Sequence, residues 1–124
     1  MRKEIKAFKS CITEDYDGVV VNLTIPEGAD IHIGIERGIY GHGKVKYKCR
    51  ASIAKVHSMF DLNGKRILES CGREYFRYTE GRTVRPDNFS WKQTTCSGGI
   101  HFFLDIGSVF AWDGKLDLSG RIRC

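Results

Sequence analysis

The sequence predicts a mainly β fold (β-rich α+β): a small antiparallel sheet or a partial barrel, with one or two short helices. Two observations support this prediction. Segments with apolar residues at alternate positions outnumber segments with helical periodicity, and turn dipeptides such as Asn-Gly and Asp-Gly recur at short intervals. The 124 residues are enough for one hydrophobic core and too few for two, so we expect one domain over residues 1–124.

The N-terminal part contains the clearest strands. A first strand is predicted over residues 5–12 and a second over residues 19–25, with a turn at residues 15–18 between them. Isoleucines at alternate positions predict a short edge strand over residues 31–35. It lies inside a long glycine-rich segment, residues 27–43, which is otherwise interpreted as a mobile flap or a tolerated surface insertion. In the second strand, the residues expected on one face are Val19, Val21, Leu23 and Ile25.

Residues 44–53 alternate between apolar and basic side chains. As a strand, they would place four cations in one row about 20 Å long. We interpret Arg50 as the member suited to a ligand, because its planar guanidinium can hold a phosphate through two hydrogen bonds. The alternative is a solvated strand face whose cations block aggregation. The four cations are Lys44, Lys46, Lys48 and Arg50.

Turn residues divide the middle of the chain. A hairpin is predicted over residues 53–68, around a type I′ turn at Asn63-Gly64. A further turn is expected at residues 70–72, and a strand at residues 74–79.

The stretch over residues 84–104 is the most informative part of the chain. Gly98 and Gly99 precede an apolar run, so we expect either a positive φ angle or a close backbone approach there. Beyond it, two interpretations stay open. Residues 105–112 predict a short helical turn, and residues 110–118 predict a hairpin.

The formal net charge is +5 at pH 7, which favours anionic partners such as nucleotides, although a merely soluble basic surface is the alternative. The five cysteines are odd in number and form no CxxC motif, and the N-terminus has no apolar signal-peptide core. No segment approaches the length of a membrane span. We therefore expect free thiols in a reducing cytoplasm and no membrane partner.

Sequence motifs for catalysis are not found. There is no GxSxG, HExxH, Walker A or GxGxxG pattern. The candidates for acid–base chemistry are His101, Asp87 and Asp105, and the candidate nucleophile is Cys96, which needs a lowered pKa and a base within reach. Cys96 and His101 do not have the spacing of a zinc motif. We therefore expect no enzymatic activity, no cofactor and no metal.

Several motifs occur together: FKSC, DGVVVNLTIPEGA, KCRASIAKV, YTEGRTVRPDNF and a Trp followed by CSGGIHFF. Over residues 8–103, this set resembles an uncharacterised domain family that occurs mainly in tailed-phage and giant-virus genomes, sometimes attached to pentapeptide repeats. The resemblance implies a virus-encoded protein in the cytoplasm of an infected bacterial cell, and it implies no established activity. GGIHFF is also similar to a strand of ADP-ribosyltransferases, with His101 in place of a Tyr. Those enzymes need a later Glu, and no Glu follows Glu80.

With this resemblance, the basic and aromatic residues predict a non-enzymatic protein that binds a small anionic nucleotide. We expect it to sequester an immune second messenger, such as a cyclic oligonucleotide or a cyclic ADP-ribose-type signal. Open sheet edges favour a homo-oligomer, either a dimer or a tetramer. The alternatives are a protein–protein inhibitor or virion accessory module and, third, a nucleic-acid binder. The predicted ligand-binding residues are Lys48, Arg50 and Arg85 for phosphates, Phe89 or Trp91 for a base, and Ser97, Gly98, Gly99 and His101 around the ligand.

Overall fold

The computed structural model describes residues 3–35, 47–72, 76–86, 99–104, 106, 107 and 109. These residues form two antiparallel sheets, neither of which closes into a barrel. The mainly β prediction is confirmed, and almost no helix is present in this part of the chain. In chain order the strands are β1 (Ile5–Ile12), β2 (Gly18–Ile25), β3 (Ile31–Ile35), β4 (Tyr47–Ala51), β5 (Ala54–Asp61), β6 (Glu69–Cys71), β7 (Arg77–Thr79), β8 (Thr83–Val84) and β9 (Ile100–Phe102).

The two sheets meet along one edge of β1. The larger sheet has the order β7-β6-β1-β2-β5-β8, and the smaller one has the order β3-β4-β9. Phe8 in β1 and Phe103, directly after β9, exchange backbone hydrogen bonds of 2.9 and 2.7 Å. Further along the same edge, Ile12 pairs with Cys71 of β6. This edge of β1 therefore has one neighbour from each sheet.

One hydrophobic core contains side chains from both sheets. The alternation predicted for β2 is confirmed, because alternate residues of a strand point to the same face and these four are buried. From the smaller sheet, β4 and β9 contribute apolar residues to the same core. The members named by the sequence pattern are Val19, Val21, Leu23 and Ile25, and those from the smaller sheet are Cys49, Ala51, Ile100 and Phe102.

A second, smaller cluster covers the opposite face of β2. It consists of Val20, Phe103 and Val109, with Phe8 packed against it. β2 is therefore buried on both faces near Val20. This explains why its sequence is apolar at three consecutive positions instead of alternating with polar residues.

Two hairpin loops, Thr13–Asp17 and Asp61–Lys65, have the same backbone design. In each loop, the N–H of the fourth residue donates to the carbonyl of the first residue at 3.0 Å. The N–H of the first residue donates to the carbonyl of the fifth residue, at 3.0 Å in the first loop and 2.9 Å in the second. The fourth residue is left-handed in both: Tyr16 has a φ of 64° and Gly64 a φ of 83°. Each loop is a type I turn followed by a left-handed residue. The hairpin at Gly64 is confirmed, but the predicted type I′ turn is wrong because Asn63 does not have a positive φ.

The turn predicted at residues 70–72 is also wrong, because Ser70 and Cys71 continue β6 and pair with β7. The turn begins at Gly72, whose N–H donates to the carbonyl of Phe76 at 2.8 Å. A Cβ atom on Gly72 would lie 2.9 Å from Cε2 of Tyr78. This glycine is therefore required for packing against a buried ring.

The edge strand predicted at residues 31–35 is confirmed as β3, an outer strand of the smaller sheet. Residues 36–43 of the predicted flap lie outside the described residues, as do residues 73–75 and everything after residue 109. Residues 106, 107 and 109 are helical, which agrees with the predicted helical turn, whereas the alternative hairpin over residues 110–118 lies outside the described residues.

Candidate anion-binding site

The smaller sheet carries three basic side chains in one row. Backbone pairing places His32 of β3 opposite Arg50 of β4, and Arg50 opposite His101 of β9. Directly opposed residues of antiparallel strands point to the same face, with Cα atoms about 4.5–5.5 Å apart. The side chains of His32 and His101 therefore lie on either side of that of Arg50 on one face of the sheet. We call these three residues the His–Arg–His row.

The row is buried. Arg50 is 0% exposed and His32 is 8% exposed, and the Nε2 atom of His101 is buried as well. Burial lowers the pKa of Arg50 below its usual value, yet a guanidinium keeps its proton in proteins at neutral pH. The fold therefore holds a positive charge away from bulk water, where its interaction with a negative charge is strong.

Arg50 also influences the charge of its neighbour in β3. Burial lowers the pKa of His32 below its usual value of 6.5, and the positive charge of Arg50 lowers it further. His32 is therefore neutral at pH 7, with one ring nitrogen that donates a hydrogen bond and one that accepts. A negative charge beside the ring would act in the opposite direction, because it favours the imidazolium form.

Lys9 holds the backbone of the third member of the row. It lies on the same face of β1 as Ala7 and Cys11, and its Nζ donates to the carbonyl oxygen of His101 at 2.9 Å. The ammonium is also 5.6 Å from the centre of the Tyr78 ring. Burial lowers the pKa of Lys9, and the nearby Cys11 opposes part of this effect. Lys9 thus ties β9 to the larger sheet and helps to fix the position of His101.

The glycine before β9 has the conformation expected from the sequence. Gly99 has a φ of 141°, a region that side-chain-bearing residues rarely adopt. The chain therefore enters β9 through a backbone angle that requires glycine. This places Ile100 on the core face and His101 on the opposite one, because successive residues of a strand point to opposite faces.

The structure brings together two of the predicted ligand-binding residues, Arg50 and His101, with Gly99 two positions before the histidine. Arg85 is exposed and follows β8 at an outer edge of the larger sheet, where it does not belong to the row. The alternative interpretation of a solvated basic strand face is wrong for Arg50. A fully buried cation cannot serve to block aggregation at a surface.

Other predicted positions are less informative. Lys48 pairs with Gly34 through the backbone, and its side chain is not among the described ones. The remaining predicted ligand-binding residues lie outside the described residues: Phe89, Trp91, Ser97 and Gly98.

The sequence interpretation missed two residues at this site. His32 alternates with isoleucines in a predicted strand, so the pattern places it on the face opposite the isoleucines. Lys9 alternates with Ala7 and Cys11, and the same period-two rule places it on the apolar face of β1. A basic residue on an otherwise apolar face was the signal for Lys9.

The described residues include three cysteines but neither a metal-binding cluster nor a membrane-spanning helix. Within the described ranges, no three His, Cys, Asp or Glu side chains come close enough to hold a metal ion. No disulfide bond joins any two of Cys11, Cys49 and Cys71; the first two are buried and the third is half-buried. Cys96, the candidate nucleophile, and both candidate acids lie outside the described residues. No helix in the described part of the chain is long and apolar enough to cross a membrane.

The row has the chemistry of an anion site. A guanidinium carries several N–H donors in a planar fork, and a neutral imidazole carries one more. A phosphate group can accept from all of them, because its oxygens point in several directions. In a buried setting these hydrogen bonds are electrostatically stronger than in water.

Comparison with known proteins adds one finding. Residues 2–107 match the model of a family described as a family of unknown function, DUF5758. The matched segment includes all three residues of the row. No curated protein and no solved structure matches the chain. The resemblance to an uncharacterised domain family is thus confirmed at the level of the domain, without any indication of a viral source.

Proposed function

The chain belongs to the DUF5758 family of unknown function, and from its side chains we propose that it binds a small phosphate-bearing nucleotide at the His–Arg–His row. Arg50 holds a phosphate through its guanidinium, and His32 and His101 donate to phosphate oxygens on either side. The observation that carries this proposal is the backbone register that aligns three basic residues across three strands.

The register supports the proposal because the whole sheet maintains the alignment. A shift of one residue in β4 would move Arg50 to the opposite face and would send Cys49 and Ala51 out of the core. The packing that stabilises the sheet therefore also keeps the side chain of Arg50 between those of His32 and His101.

The burial of the row favours a compact ligand over a long polyanion. Contacts between exposed cations and a nucleic-acid backbone weaken steeply with salt, because binding releases counterions. Charges removed from water are screened much less. Binding at the row should therefore change little between low and physiological salt.

The proposed role is sequestration, in which the ligand is held without being chemically altered. The ligand class is a cyclic oligonucleotide or a cyclic ADP-ribose-type immune signal, in the cytoplasm of a phage-infected cell. This part of the proposal rests on the motif resemblance described above. Arg85, Phe89 and Trp91 stay candidates for a second phosphate and for stacking on a base.

Protonation of His32 gives the proposal a measurable signature. In the free protein its pKa lies below 6.5, and a bound phosphate raises it. At pH values between the pKa of His32 in the free protein and its pKa in the complex, binding takes up a proton. Affinity therefore increases as the pH falls through this interval. Gln at position 32 keeps a donor but does not titrate, and it should remove this component of the pH dependence.

The test is a thermal-shift screen with cyclic dinucleotides, cyclic trinucleotides, cyclic ADP-ribose isomers and NAD, followed by mass spectrometry of the recovered compound. At a ligand concentration of about 100 times Kd, binding adds about 2.7 kcal/mol to the free energy of unfolding. We expect a clear rise in Tm with one compound, which is recovered intact. His57, exposed on β5, supplies the matched control: His57→Gln should bind normally while His32→Gln binds more weakly.

Arg50→Lys tests the geometry of the contact separately from its charge. Lysine keeps the positive charge but not the planar fork, so we expect affinity to fall by about tenfold or more. Isothermal titration with the compound from the screen measures this change. Unchanged affinity in Arg50→Lys and His32→Gln would refute the row as the site, and a compound recovered cleaved would refute sequestration.

A further inference from the structure

The two similar hairpin loops lie side by side at one end of the larger sheet. Val19 of β2 pairs with Asp61 of β5, and a Cβ atom on Gly18 would lie 3.5 Å from Cδ1 of Leu62. The first loop has Tyr16 at the left-handed position where the second has Gly64. A left-handed conformation costs an L-residue roughly 1–2 kcal/mol, so glycine would be the more stable choice in both loops.

The residues around this strained position form an exposed surface. Tyr16 is 64% exposed and Leu62 is 63% exposed, and both are large apolar side chains. Glu14, Asp15 and Asp17 are exposed around them. We call these five residues the acidic tip. It carries three negative charges on a chain whose net charge is +5. Tyrosines in apolar patches with a charged rim are typical of protein interfaces.

A basic surface lies at the other end of the same strands. Lys6 of β1 pairs with Thr24 of β2, Thr24 pairs with Lys55 of β5, and Lys55 pairs with Thr83 of β8. Because opposed residues share a face, these four residues form one row across four strands. Both lysines and Thr83 are exposed. We call this the Lys–Thr row, and its charge is complementary to that of the acidic tip.

We propose that two copies of the chain associate with the acidic tip of each copy against the Lys–Thr row of the other. The tip and the row lie at opposite ends of the eight-residue strand β1, about 27 Å apart. Two copies in antiparallel orientation therefore bring each tip to the partner's row. A two-fold axis makes the contact twice and closes the assembly as a dimer.

The distribution of charge selects a second copy over nucleic acid as the occupant. A polyanion would be attracted by the Lys–Thr row but repelled by the acidic tip. A second copy satisfies both surfaces at once, since each is complementary to the other. Tyr16 and Leu62 supply the apolar centre of the contact, and the charges around them set its orientation. The dimer does not depend on occupation of the His–Arg–His row.

Sedimentation velocity over a range of protein concentrations, at low and high salt, tests this assembly. The wild-type chain should dimerise, and the dimer should weaken as salt screens the charged contacts. Asp15→Lys/Asp17→Lys and Lys6→Glu/Lys55→Glu each place like charges in contact, so each variant alone should weaken association by about tenfold or more. An equimolar mixture of the two variants should restore it, because their contacts are again complementary.

One further variant separates this interface from general effects. Tyr16→Gly should raise the free energy of unfolding of the protomer while weakening the dimer, a combination that misfolding cannot produce. A monomeric wild type, or a mixture that fails to restore association, would overturn the proposal and leave a different basic protein as the partner of the tip.

Discussion

Substitution of Tyr16 by glycine should make the protein more stable. Tyr16 has a φ of 64°, and relief of this conformation contributes roughly 1–2 kcal/mol. Glycine also has more conformational freedom in the unfolded chain, and this offsets about 0.5–1 kcal/mol of the gain in stability. The side chain is 64% exposed, so little buried area is lost. The expected result is a gain of about 0.8 kcal/mol, or about 3–4 °C in Tm for a domain of this size.

Gly64 provides the matched control, because it occupies the same position in the sister loop. Its φ is 83°, and a Cβ atom added there would have no atom within 4 Å. Gly64→Ala therefore changes the backbone conformational energy without a clash. The cost of the left-handed conformation and the freedom of glycine in the unfolded chain now act with opposite sign. The free energy of unfolding of this variant should therefore fall by about 0.8 kcal/mol.

Urea unfolding followed by tryptophan fluorescence and by circular dichroism measures both changes, with Tm as a second readout. The slope of the transition should not change, since neither substitution alters the surface exposed on unfolding. The reasoning would be refuted by a loss of stability in Tyr16→Gly together with a neutral Gly64→Ala. That pattern would mean that contacts of the tyrosine side chain outweigh the backbone conformation.

Three further predictions concern the interior. Gly72→Ala should lower the free energy of unfolding by about 1–3 kcal/mol in a urea titration, because its Cβ would lie 2.9 Å from Cε2 of the buried Tyr78. Wild-type stability in this variant would show that the Tyr78 ring moves freely. The lowered pKa of Lys9 means that the unfolded state binds more protons between that lowered pKa and 10.5, so the free energy of unfolding gains a component that rises with pH through this interval. Lys9→Met should lack this component, and equal slopes in both proteins would contradict the assignment. The pKa of His32, lowered by burial and by Arg50, makes stability fall as the pH drops through 6.5. His32→Gln should flatten that fall in the same assay, and an unchanged profile would place the titration elsewhere.

The strands of the N-terminal part were predictable because their patterns are local. β1 and the apolar alternation of β2 follow from the period-two rule, and β3 follows from three alternating isoleucines. The packing role of Gly72 was not predictable, because the need for a glycine there comes from Tyr78, a residue that approaches through tertiary packing. The type I′ prediction at Asn63 failed because several types of hairpin loop accept an Asn-Gly pair.

The candidate site was predictable only in part. Arg50 and His101 attracted interest separately, one from a run of basic residues and the other from its place after two glycines. Their pairing across β4 and β9 depends on the register of strands about 50 residues apart, which no local pattern encodes. The burial of Arg50 was likewise not predictable, because a lysine-rich strand face usually indicates solvent.

The order in which a ribosome makes this chain has a consequence for the site. β3 and β4 emerge early, but β9, which joins them to β1, emerges last among the nine described strands. The contact between Lys9 and His101 spans 92 positions of sequence. Long-range contacts of this kind slow folding because a large loop must close first. The nascent chain therefore contains all residues of β1 and β2 well before it contains the last residue of the proposed binding site, and a chain terminated ahead of residue 99 carries His32 and Arg50 without the third residue of the row.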